Sequence, residues 1–315
     1  MLIVEISQIG GIRMVAGPRS VEIREYRIPT FPSGPYILCE GPDGAIWFCE
    51  NLGSRVGRFD PASGEMREFP LSSGDAGPVG IIAGTDGCLW FAQKKANKIG
   101  RITVDGVITD FAVPTPASGP DAIAVGPDGA IWFSETDADK IGRIRPNGEI
   151  EEFSAGLRPG SRPLALVERD GALWFSQAGG GRIGRIASDG RFSEFPIPSP
   201  ASQPRAIANH PDGTIWFVET SSNALGRVER DGAIREFVVP IDHASLRGVI
   251  AGPDGNLWFT ANGANQIGAM TPDGAFLGAW DVPTANAGPR CIMAHSNGRL
   301  YFGCYDSGAI GEILL

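Results

Sequence analysis

Arg205 in "PRAIA", Arg247 in "LRGVI" and Arg290 in "PRCIM" recur at spacings of 42 and 43 residues. A guanidinium stays charged at any ordinary pH and offers a planar fork of donors. Several brought together would hold a carboxylate or phosphate, or stabilise an enolate or a leaving carboxylate. Arginine is a poor base, because its pKa lies far above neutrality. Proton transfer therefore needs another group, and the candidates are His243, Tyr36 and Tyr305. Asp121, Glu135, Glu219 and Asn262 are candidates for substrate contacts, and Asp306 for a metal ligand. The opposing expectation is internal pairing, with Glu219 neutralising Arg205 or Arg247. No serine or cysteine stands in a nucleophile constellation.

The arginine spacing belongs to a repeat that runs along the chain. Aligned on the "WF" aromatic, units fall at Trp47, Trp90, Trp132, Trp174, Trp216, Trp258 and Tyr301, at intervals of 42 or 43 residues. That period matches a propeller blade. Each unit reads as four short β-rich runs, exemplified by Ala122–Val125, "GPDG", "AIWFSE", "KIGRIR", "PNG" and "EIEEF". The turn residues punctuate them as hairpins. The predicted fold is all-β, a seven-bladed β-propeller with four antiparallel strands per blade. The chain ends at "AIGEILL", a third strand, and "VEIREYRIP" (21–29) is expected to supply the fourth and close the last blade. Residues 1–18 read as an N-terminal arm, a lone short strand or disordered, and 19–315 as one propeller domain.

Strand order sorts the candidates by face. With A innermost and D outermost, the A–B and C–D turns share one face. The B–C loops and D–A connections share the other, which also carries the start of each A strand. Loops vary on this second face, where binding is expected. The A-strand starts are Tyr36, Val79, Asp121, Leu164, Arg205, Arg247 and Arg290, so the arginines should converge at one side of the channel mouth. His243 lies in a D–A connection on this face. His210 in "NHPDG" and His295 in "AHSNG" sit by A–B turns opposite, as solvated turn residues. Lys94 and Lys95 read as a solvated loop, Cys49 and Cys304 as buried inert thiols, and the repeated Trp and Phe as core.

Composition narrows the partners. Lys+Arg is 27 and Asp+Glu 36, a net charge of −9 that repels nucleic acid. No apolar run approaches a membrane span. The N-terminus lacks the basic head of a signal peptide, and five cysteines without CxxC spacing signal neither disulfides nor zinc. A monomer in the cytoplasm is expected.

The repeated unit, with "AIWFSE", "NKIGRI" and "GPDG", resembles that of the streptogramin B lyase (virginiamycin B lyase) family over residues 21–315. The resemblance implies a seven-bladed propeller and a magnesium-dependent elimination. A base would remove an α-proton and the ester C–O bond of a cyclic depsipeptide would break without water. It implies catalytic histidines at the A-strand starts of the last two blades, where this chain has Arg247 and Arg290. The implied metal-binding glutamate falls at Gly288, and of the residues after the last B strand only Asp306 could replace the second metal carboxylate. The expected function is a lyase-like enzyme with altered chemistry, acting on a carboxylate-bearing or lactone small molecule by elimination, isomerisation or cyclisation. The alternatives are a non-catalytic binding propeller and a metal-dependent lactonase.

Overall fold

The computed structural model describes residues 6–9, 12–15, 21–154 and 156–315. Seven blades of the expected four antiparallel strands surround an axis, and the sheet of the sixth carries two further strands. The third blade is representative, with strands A Pro120–Val125, B Ile131–Glu135, C Lys140–Ile144 and D Ile150–Phe153. The last blade comprises Pro289–Ala294, Leu300–Cys304 and Ala309–Leu314, and Glu22–Arg27 completes it antiparallel to Ala309–Leu314, as predicted. Among the described residues, no helix is long and apolar enough to cross a membrane.

The N-terminal segment differs from the single strand expected. Ile6–Ile9 and Ile12–Val15 pair as a hairpin, and the second lies parallel to Phe276–Asp281, the outer strand of the sixth blade. The expectation of disorder falls on positions in 1–18 that lie outside the described residues.

The sequence repeat is a repeated packing unit. In the third blade, Asp128 of the turn accepts a hydrogen bond from Trp132 Nε1 at 3.0 Å and another from Arg143 at 3.0 Å. The Arg143 guanidinium lies over the Trp132 ring at 5.1 Å, and that ring stacks on Phe153 of strand D at 5.2 Å. Gly142 supports Phe133, whose ring a Cβ there would overlap. These contacts explain why "PDG", "WF" and "GR" travel together. The Trp–Phe pairs are buried core, and Cys49 and Cys304 are buried with them.

Side chains also stitch each blade to the next. Thr136 and Thr220 hydroxyls donate to the carbonyls of Pro163 and Leu246, each at 2.8 Å. Asn262 Nδ2 donates to Pro289 O at 3.1 Å, as Asn51 does to Pro78 O. Asn262 is thus a blade-to-blade tie, contrary to its reading as a substrate contact. His210 and His295 are likewise not solvated. Both are buried, with Nε2 against Gly255 O at 3.2 Å and Gly44 O at 3.0 Å on the adjacent blade.

Candidate functional site

Every A strand carries a register shift at its start. In the fifth blade Pro204 faces Glu219 and Ile207 faces Phe217, so one extra residue is accommodated between them. The same shift occurs beside Arg247 and Arg290. A bulge bends the strand and re-aims its side chains, and here it accompanies the turn of six of the seven A-strand starts toward the axis. Tyr36, Asp121, Leu164, Arg205, Arg247 and Arg290 all line one cavity of about 230 Å³. In the sixth blade the Thr260 hydroxyl accepts from Gly248 N–H at 2.8 Å and donates to Arg290 O at 2.6 Å. It fixes the backbone of two arginine positions at once, a role that sequence reasoning missed.

The three arginines come together as expected. No carboxylate pairs with any of them among the described residues, and the Nε atoms of all three are buried without a protein acceptor. Burial, then repulsion from Arg205 and Arg290, hold the Arg247 guanidinium below its ordinary pKa. Arg290 is flanked by two aromatic rings, its Cζ lying 3.7 Å from the Tyr305 centroid and 5.0 Å from that of Tyr36. Such cation–π contacts position the charge without neutralising it. Tyr305 donates to Asn51 Oδ1 at 2.8 Å. Burial raises its pKa, with Arg290 pulling the other way, so at neutral pH Tyr305 is a proton donor.

Asp121 is the one carboxylate among the residues lining the cavity. It is buried and paired with Lys94 Nζ at 2.6 Å. Burial works against the Lys94 ammonium, but the charge and hydrogen bond of Asp121 hold it above its ordinary pKa. Lys94 is therefore part of the site and not of a solvated loop. Lys95, by contrast, forms an exposed pair with Asp75 at 2.8 Å. Removing one partner of a buried pair strands the other. Lys94→Met is expected to cost about 1–3 kcal/mol, measured by urea denaturation at neutral pH, whereas Lys95→Met should be near neutral.

Other predicted site residues stand apart. His243 is exposed, has φ 52° and does not line the cavity that holds the arginines, so it is not placed to act as a base there. Glu135 and Glu219 lie fully buried in their blades, away from the arginines. Each meets a strand-D glutamate, Glu152 or Glu236. Burial first, then that second carboxyl, push Glu135 up to about 7, while burial and Glu236 push Glu219 up to about 8. Neither can neutralise the arginines.

The magnesium implied by the resemblance does not fit the residues present. A guanidinium has no lone pair to give and repels a cation, and guanidiniums occupy both implied histidine positions. Gly288 offers no side-chain oxygen. Asp306 is exposed and folds its carboxylate over Gly288, where a Cβ would overlap it. Among the described residues no three acidic, His or Cys groups converge as a metal site.

The virginiamycin B lyase family model matches residues 7–169 and again 156–315. The chain belongs to the virginiamycin B lyase family. A solved streptogramin B lyase is 34% identical, with a TM-score of 0.88 over 94% of this chain and 98% of that one. A virginiamycin B lyase from Staphylococcus aureus is also 34% identical, at a TM-score of 0.89 over 94% and 100% of the two chains. The virginiamycin B lyase of Saccharopolyspora erythraea is 43% identical over 47 residues, 15% of this chain and 16% of that relative.

Proposed function

We propose that this propeller is a lyase-like enzyme acting on a small molecule that is anionic or becomes so during reaction. The observation that carries the reading is a cavity with three unpaired guanidiniums and a single carboxylate, Asp121. Asp121, kept in place by Lys94, takes a proton from the carbon α to a carbonyl. Arg205, Arg247 and Arg290 stabilise the enolate and the carboxylate that leaves when the neighbouring C–O bond breaks. Tyr305 supplies a proton where isomerisation or cyclisation requires one. The lactonase alternative is less favoured, since among the described residues Glu135 and Asn262 are engaged within and between blades.

The test is turnover of a panel of lactones and β-acyloxy acids in ¹⁸O-water, followed by mass spectrometry. Elimination yields an unsaturated carboxylate with no label, whereas hydrolysis incorporates one labelled oxygen. Asp121→Asn is expected to lower kcat at least 100-fold. Incorporation of label would overturn the elimination reading.

One observation favours a second reading, a propeller that binds an anion without turnover. None of the three histidines lines the cavity. Anions would then raise the melting temperature of the wild type, with no product from any member of the panel.

A further inference from the structure

The arginines occupy only the mouth of the cavity. Immediately after each mouth position the chain places a small residue in six of seven blades: Gly80, Ala122, Ala165, Ala206, Gly248 and Cys291, all on the cavity wall. The rest of the lining is aliphatic, including Leu166, Ile207 and Val249. Below Tyr36, Asp121 and the arginines, Cys291 is the one lining side chain with a polar atom. Burial pushes its thiol up to about 12, so it behaves as an apolar group and not as a nucleophile. On the blade-one side the rim is also apolar, with the half-exposed Leu52 and the ring of Tyr305 both lying against Gly34.

A cationic collar above an apolar well has a definite chemical complement. A compact polyanion would satisfy the collar and leave the well unfilled. An uncharged hydrocarbon would fill the well and leave the guanidiniums unpaired. We infer that the ligand is amphipathic, an anionic head held by Arg205, Arg247 and Arg290 and a slim apolar tail directed down the axis. This rests on the anion-binding reading above and specifies the ligand class for that same cavity. Water is poorly held by such aliphatic walls, so its displacement by the tail favours binding.

The experiment is a calorimetric titration of straight-chain carboxylates from acetate to octanoate, at fixed pH and ionic strength. Each added methylene is expected to tighten binding about fourfold until the well is full. Ala206→Trp, which crowds the well, should abolish the dependence on chain length. Arg247→Ala should weaken every member of the series. If Ala206→Trp does not fold, Ala165→Leu serves the same purpose. The wild type then adds an independent readout, a heat-capacity change on binding that grows more negative with chain length. Carboxylates that bind with affinity independent of length overturn this inference and leave the anion reading intact. If neither the carboxylates nor inorganic phosphate bind, it is the anion reading itself that fails.

Discussion

Replacing Arg247 with methionine is expected to raise the melting temperature of the ligand-free protein while removing its response to anions. The guanidinium is partly buried, its Nε has no acceptor, and both burial and its two arginine neighbours disfavour its charge. Methionine keeps most of the stem's packing and removes the uncompensated charge. The gain should be about 1–3 kcal/mol, a few degrees in melting temperature. Phosphate should stabilise the wild type more than chloride at equal ionic strength, and the variant should lose that difference. A variant destabilised as strongly as a core truncation would mean that the guanidinium serves the fold and not a ligand.

The second large effect is alkaline. Glu50, Glu135 and Glu219 are buried glutamates pushed up to about 8, 7 and 8, from an ordinary value of 4.5, by burial first and then by a strand-D carboxyl. A folded-state pKa above the unfolded one means the native state holds a proton the unfolded chain has already lost. The contribution is fully present below about pH 4.5 and is lost as pH rises through 7 to 8. Glu219→Gln keeps a hydrogen-bond donor at all pH values. It should therefore flatten the pH dependence and stabilise the protein at pH 9 by on the order of 3 kcal/mol, read from denaturation midpoints at pH 5 and 9. Gln93 already holds this place in the second blade, donating to Asp110 at 2.6 Å. Equal losses of stability between pH 5 and 9 in the variant and the wild type would refute this account.

Much of this architecture can be read from the sequence, because a 42-residue period reports directly on a repeated unit. The arginine cluster was legible for the same reason, since equal register in successive blades means neighbouring positions on one ring. Contacts that cross between repeats were not. Lys94 reaches Asp121 from the preceding blade, and only the bulge at each A-strand start brings the two together. Position at the end of strand B alone makes Glu135 and Glu219 candidates for substrate contacts. Their direction depends on the strand's alternation, which aims them at strand D, where Glu152 and Glu236 were visible in "EIEEF" and "IREF". Proximity to a face did not suffice for His243 either, whose left-handed backbone leaves the side chain in solvent.

The way the ring closes has a consequence for the pocket. Its collar spans the join between the seventh blade, which carries Arg290 and Tyr305, and the first, which carries Tyr36 and Asn51. The seventh blade is whole only when Glu22–Arg27 has met Ala309–Leu314. During synthesis, then, closure of the ring waits until these two distant strands have found each other. Afterwards, the contacts of Arg290 with Tyr36 and of Tyr305 with Asn51 act as a clasp across the seam, resisting the same opening by which the circle would come undone.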